Sequence, residues 1–205
     1  MNHDLTEGTI MKKLLQFAFP IMIGNMLQQL YNIVDTLIVG RYLGENALAA
    51  VGSSYTLMVF VTSVILGLCM GSSAFFAMQF GGRAHDRLEK GLYIAFISIG
   101  AVAVVLNVLV YAGIKGILIF MRVPYEVAPL MKEYLLWIFA GIPAVFLYNF
   151  LANLLRAIGN SVVPLCFLGV SALLNIVLDL VFIRSFGWGV GGAAAATVLS
   201  QYAAG

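Results

Sequence analysis

The chain has 205 residues, 62% of them hydrophobic and 10% charged, with a formal net charge of +2. Soluble domains carry about 25% charged residues, so so apolar a chain is a polytopic membrane protein and not a soluble globule. The small, dispersed positive charge excludes a nucleic-acid surface, because there is no basic stripe of the kind that phosphate contacts require.

Residues 1–13 read as a polar arm that ends on Lys12 and Lys13. The apolar stretch after it is too long for a cleaved signal peptide and carries Asn25, Gln28 and Gln29, so residues 14–40 read as a retained first helix. Lys12 and Lys13 flank that helix directly and place the N-terminus on the cytoplasmic side. Pro20 interrupts the helix, and an interior proline frees a carbonyl and bends the rod, either as a fixed kink or as a hinge.

Asp35 lies well inside this apolar span. An ionised acid near mid-membrane costs roughly 2.5 to 3.5 kcal/mol on insertion scales, so it is expected to face a bundle interior or a wet cavity and to serve an ion or substrate pathway. Its neighbours agree, since Gln28, Tyr31, Asn32 and Asp35 follow one helical stripe at i, i+3, i+4 and i+7. The structural alternative is an Asp35 hydrogen-bonded between helices that never titrates.

A second span covers 46–80 and carries Gly67 and Gly71 as a GxxxG, a spacing that permits close helix contact. The charged run from Arg83 to Lys90 reads as a water-side loop, and a third span follows over 91–120. A loop around Arg122, Pro124, Glu126 and Lys132 leads to a fourth span, 134–156, which Pro143 should kink. Asn149, Asn153 and Arg156 follow one face of its last turns. LLRAIGN then makes a tight loop, and Pro164 opens a fifth span, 162–184, on which Ser171, Asn175 and Asp179 repeat at i and i+4. Two acids therefore sit in separate spans. The turn RSFGWGVGG precedes a sixth run, 190–205, which is shorter than the ~20 residues of a full crossing, so the sequence reads as a piece of a longer protein. Cys69 and Cys166 lie in apolar segments without CxxC or Cys/His spacing and read as packing residues.

VDTLIVGRYLG in the first helix, LRAIGN after the fourth, ALLNIVLD in the fifth and the glycine-rich start of the sixth together resemble the multidrug and toxic compound extrusion (MATE) transporters. The resemblance spans the whole chain. It implies an all-α fold of twelve transmembrane helices in two six-helix lobes, with residues 14–205 as the amino-terminal lobe, its sixth helix incomplete and the carboxyl-terminal lobe missing. It further implies a secondary antiporter in the cell membrane, not an enzyme, that exports organic and often cationic compounds in exchange for protons or sodium ions. The expected partners are a drug-like small molecule, membrane lipid and the second lobe, with no cofactor beyond the coupling ion. In prokaryotic members the amino-lobe cation site uses a first-helix Asp, a Tyr one turn before it, Asn residues of the fourth and fifth helices, a fifth-helix Asp and a sixth-helix Thr. Those roles fall on Asp35, Tyr31, Asn153, Asn175, Asp179 and Thr197, with Asn149 one turn from Asn153 as an alternative, and the bending first-helix proline falls on Pro20.

The residues also support this chemistry directly. Two carboxylates among neutral oxygens can hold a bare monovalent cation or share protons, because close acids resist ionising together. A divalent metal site would show more carboxylates or His, and no span contains a His. The amides and Thr197 could instead serve as helix–helix glue, worth about 0.6 kcal/mol each. Among other functions, an aspartyl intramembrane protease would show Tyr-Asp and Gly-x-Gly-Asp, whereas Val34 precedes Asp35 and Leu178 precedes Asp179. A lipid-linked oligosaccharide flippase of the same superfamily is the alternative reading of the fold; it would line its cavity with basic residues, for which Arg156 is the candidate. A passive channel would not explain acids stacked with amides on two helices. The 14 Phe, 9 Tyr and 9 Met residues suit an adaptable pocket for flat cations, and equally suit ordinary packing.

Overall fold

The computed structural model describes residues 10–204, so most of the expected polar arm, residues 1–9, lies outside them. Seven α-helices follow one another: α1 (Ile10–Leu43), α2 (Glu45–Gly81), α3 (His85–Phe120), α4 (Ala128–Ala140), α5 (Ile142–Ala157), α6 (Val162–Asp179, prolonged by a π-helical stretch Leu180–Ser185) and α7 (Gly189–Ala204). They make six rods, because α4 and α5 are one rod bent by 44°. The described residues are all-α, as the family resemblance implies.

Among the described residues, α2, α3 and Val162–Ser185 are each long and apolar enough to cross a membrane, and the bent pair α4–α5 makes a fourth candidate. α1 spans 34 residues, but Asn25, Gln28, Gln29 and Asn32 dilute its apolar character. α7 has 16 residues, fewer than a crossing needs. The 37 residues of α2 would run about 55 Å at 1.5 Å per residue, far beyond a hydrocarbon core of about 30 Å, so its ends project into the polar layers.

Several sequence expectations are corrected. The charged segment read as a loop is mostly helix: the turn is confined to Gly82, Arg83 and Ala84, and α3 already starts at His85. Arg, Leu, Glu and Lys are strong helix formers and Asp86 in the first turn suits the helix dipole, so the rod continues into water with its charges on it. The rod of the fourth span begins six residues early, at Ala128, with Pro129 in its first turn. Gly67 and Gly71 seat no neighbouring helix, since a Cβ on either would have nothing within 4 Å among the described residues. Cys69 is buried as expected, whereas Cys166 is exposed.

Packing follows chain order only in part. α1 lies chiefly on α6, α6 on α7, α4 on α7, and α2 is surrounded by α3, α4 and α5. Phe76 of α2, Phe96 of α3, and Phe146 and Phe150 of α5 form an aromatic knot with ring centroids 5.2 to 6.0 Å apart, in edge and tilted geometries that suit the ring quadrupoles. LRAIGN has a clear mechanical role. Gly159 takes φ 88°, which lets the Asn160 N–H reach back to the Leu155 carbonyl at 2.8 Å and close α5. Asn160 Oδ1 then accepts from the Val163 N–H at 3.1 Å and starts α6. At the start of α7, a Cβ on Gly191 would stand 2.5 Å from Glu133 Oε1, so a larger residue there would have to displace the Glu133 carboxylate of α4.

Candidate cation site

Small residues on α7 bring α6 and α7 close enough for side chains to bond across the interface. Ala193, Ala194, Ala195 and Ala196 are all buried there. Ser171 Oγ donates to the Ser200 carbonyl at 2.8 Å, and one turn further Asn175 Nδ2 donates to Thr197 Oγ1 at 3.2 Å. Thr197 in turn donates to the Ala193 carbonyl at 3.1 Å, and Ser200 to the Thr197 carbonyl at 2.8 Å. Asp179 is the next residue on the same face of α6. It is the last α-helical residue before the π-helical stretch, whose i→i+5 register appears in the 3.1 Å bond from the Phe186 N–H to the Val181 carbonyl. Such π turns within helices recur at functional sites.

α1 brings Asp35 to this point. Asp35 is 9% exposed and Asp179 fully buried, and their carboxyl groups lie within hydrogen-bonding reach of one another. Neither ionised carboxylate can donate. Asp35 Oδ1, both Asp179 oxygens and Asn175 Oδ1 are consequently buried acceptors with no donor among the described residues. Four acceptors without a donor is the expensive side of polar burial, because an unmade buried hydrogen bond costs about 1 to 3 kcal/mol and more for a charged group. A proton or a monovalent cation supplies what the group lacks, and the donor set suits it: hard oxygens only, two of the groups anionic.

The other expected residues are placed as follows. Tyr31 is half-buried on α1 close to Asp35, Tyr55 and Tyr148. Asn153 is buried on α5, but its amide donates to the Asn149 carbonyl of its own helix at 2.8 Å, and it makes no hydrogen bond to either acid among the described residues. Asn149 repeats the arrangement one turn earlier, donating to the Val145 carbonyl at 2.8 Å, and is less buried. The structure thus joins Asp35 to Asp179 and Asn175 to Thr197, and leaves Asn153 bonded within α5. Pro20 lies inside α1, which continues as helix through it. One residue near the acids was not anticipated. Tyr134 of α4, 4% exposed, stands close to Asp35, Asp179 and Tyr31. Its only sequence signal was an aromatic among the first turns of a span beside Lys132 and Glu133, where interfacial tyrosines are common.

The MatE family model matches residues 20–181. The chain is 37% identical to a probable multidrug resistance protein, YpnP, of Bacillus subtilis over 97% of this chain and 45% of that protein. It is 29% identical to a multidrug export protein, MepA, of Staphylococcus aureus over 97% of this chain and 44% of that one. Among solved structures, a MATE protein in the bent conformation superposes with a TM-score of 0.89 at 29% identity, covering 96% of this chain and 44% of the other. An outward-facing multidrug resistance MATE transporter of the MOP superfamily gives 0.88 at 30% identity, covering 94% and 43%. The chain therefore spans somewhat less than half the length of the relatives it matches. With six rods arranged as in those structures and the family match running from Pro20 through Asp179, the chain belongs to the MATE family and is the amino-terminal lobe of its fold.

Proposed function

We propose that this lobe couples export of organic, often cationic, drug-like compounds to inward movement of protons or sodium ions across the cell membrane, with the N-terminus on the cytoplasmic side. The observation that supports it best is the buried cluster of acceptor oxygens around Asp35 and Asp179, which has no donor of its own. One positive charge makes the cluster inexpensive to bury, and its departure makes it costly, so cation occupancy biases the lobe between two packings. Two relatives that the chain covers over 97% of its own length are named for multidrug resistance or multidrug export, which supports the substrate class. Liposomes containing the full natural chain test the reading. Substrate movement should follow an imposed proton or sodium gradient and stop when an ionophore collapses that gradient. Movement indifferent to both gradients would refute antiport.

Pro20 is proposed as the hinge of this switch. The segment before it is weakly held, with Leu14, Leu15 and Phe19 about 60% exposed, whereas Gly24 one turn later is buried, and a Cβ there would be in van der Waals contact with Leu165 and Leu168 of α6. The proline also leaves the Gln16 carbonyl without its helical donor. Pro20→Ala restores that bond and should stiffen α1. The expected result is altered cysteine-labelling along residues 21–35 and transport slowed several-fold, by about 1 kcal/mol of bias toward one packing. An unchanged labelling pattern with an unchanged rate would reduce Pro20 to a tolerated residue.

A further inference from the structure

α4 and α5 meet at 44° across Gly141, and the local bonding shows why the rod breaks there. Pro143 has no N–H to offer the Phe139 carbonyl, and the Gly141 N–H closes a tighter turn on the Ile138 carbonyl at 3.0 Å. α7 is seated directly on the break. The Tyr202 hydroxyl donates to the Ala140 carbonyl at 3.1 Å, and a Cβ on Gly141 would stand 2.9 Å from Gln201 Oε1 and 3.0 Å from Val198 Cγ2. The bare glycine is what lets α7 approach. Thr197 and Ser200 of the same helix are bonded to Asn175 and Ser171 of α6. One side of α7 therefore rests on the break and the other on the polar ladder that leads to Asp179.

The two arms of the bent rod carry different groups. Tyr134, buried and within electrostatic range of both acids, is on α4 before the break, and Asn153 is on α5 after it. The angle at Gly141 consequently fixes how these two side chains stand relative to one another. We propose that Tyr202 is a positioning residue for the cation site: its hydroxyl, bonded to the Ala140 carbonyl, holds the α4–α5 angle and through it the placement of Tyr134 toward the Asp35–Asp179 pair. Tyr202 itself is half exposed and belongs to the opposite side of α7 from Thr197. The proposal rests on the cation-site reading above.

The test uses the full natural chain with spin labels at Lys132 on α4 and Leu151 on α5, both exposed, together with titration of proton or sodium binding. Tyr202→Phe should broaden or shift the inter-label distance and weaken cation affinity about 3- to 10-fold, the range expected for one lost hydrogen bond. Gly141→Ala, which crowds Gln201 and Val198 from the other side, should shift the same distance and weaken affinity in the same direction. Tyr111→Phe removes a comparable bond, from the Tyr111 hydroxyl to the Leu136 carbonyl at 2.8 Å, which fastens α4 to α3 before the break. It should lower thermal stability and leave both the distance and the affinity unchanged. The proposal is overturned if Tyr202→Phe keeps the wild-type distance and affinity, or if Tyr111→Phe loses affinity equally, which would make both effects general loosening of the bundle. A wild-type protein with no proton or sodium affinity overturns the cation reading itself, before any substitution is made, and the positioning role falls with it.

Discussion

Asp35→Asn and Asp179→Asn, each made in the full natural chain, are expected to fold and insert normally, to keep substrate binding, and to lose gradient-driven efflux. The structural reason lies in the unpaired oxygens. Either asparagine brings an N–H where the pair has none: Asn at 35 can donate to the Asp179 carboxylate, and Asn at 179 to Asp35 Oδ1, both of which are otherwise without donors. A bond to a charged acceptor is worth roughly 1.5 to 3 kcal/mol, so thermal stability should match or exceed wild type. The same bond removes the reason for a cation to arrive and leave. One proton moving down 100 mV supplies about 2.3 kcal/mol and one pH unit about 1.4, enough together for a gradient of about 500-fold in a neutral substrate. Cationic substrates forfeit the voltage part. In either variant the accumulation ratio should fall from that scale to about one, as expected when coupling is lost and binding is kept. The double variant should cost little beyond either single change, because the acids act as one unit. Stability, binding and efflux are to be measured on the same purified proteins. Full efflux by Asp35→Asn with unchanged ion dependence would make that residue structural and move the coupling elsewhere.

How much of this was legible beforehand depended on the kind of signal. Asp35 and Asp179 were readable because an ionisable group within an apolar run is costly enough to demand a reason, and the i, i+4 spacing of Ser171, Asn175 and Asp179 already put them on one helix face. That Asp35 meets Asp179 was not readable from spacing, since no periodicity reports which helices pack together. The resemblance to a known family suggested it, and α1 packs on α6 with the two carboxyl groups in reach of one another. Pro143 announced a bend, but the break sits at Gly141, before the proline, because it is the carbonyls preceding the ring that lose their donors and because α7 presses on the one residue without a Cβ.

Other features carried no usable signal. The π-helical stretch after Asp179 is written in the same apolar residues as the α-helix before it, so hydropathy cannot tell the two registers apart. Tyr134 stood at the edge of the expected span 134–156 with nothing to mark it, whereas α4 begins at Ala128 and buries it inside the bundle. The charged start of α3 was misread because charge reports avoidance of lipid, not absence of helix. Gly67 and Gly71 show a spacing that permits contact and that no helix among the described residues uses.

The 205 residues reconstituted alone are expected to support no gradient-driven uptake, although they contain the whole Asp35–Asp179 cluster. α1 gives the reason. Asn25, Gln28, Gln29 and Thr36 are exposed along it, and the Asn32 amide donates to Gln29 Oε1 at 3.3 Å on that same face. An amide moved into hydrocarbon without a partner costs about 4 to 8 kcal/mol, so this face cannot be turned to lipid and must meet water or protein. Next to it Met22, Met26, Leu30, Ile33 and Leu37 are each more than half exposed, which gives α1 an apolar face beside the polar one. A helix exposed in this way suits the wall of a cleft between two bodies, and alternating access needs a second body to rock against. The relatives it matches are more than twice its length, which accommodates a second lobe of similar size. Cation binding should behave differently from transport. The donor-free oxygens of Asp35, Asn175 and Asp179 are supplied by α1 and α6, so a folded preparation of the 205 residues should still take up protons or sodium at Asp35 and Asp179. Proton or sodium titration and substrate uptake on the same liposomes separate the two properties. Binding without uptake places the ion site in this lobe and the moving cleft between lobes, whereas robust gradient-driven uptake by these residues alone would show that one lobe suffices.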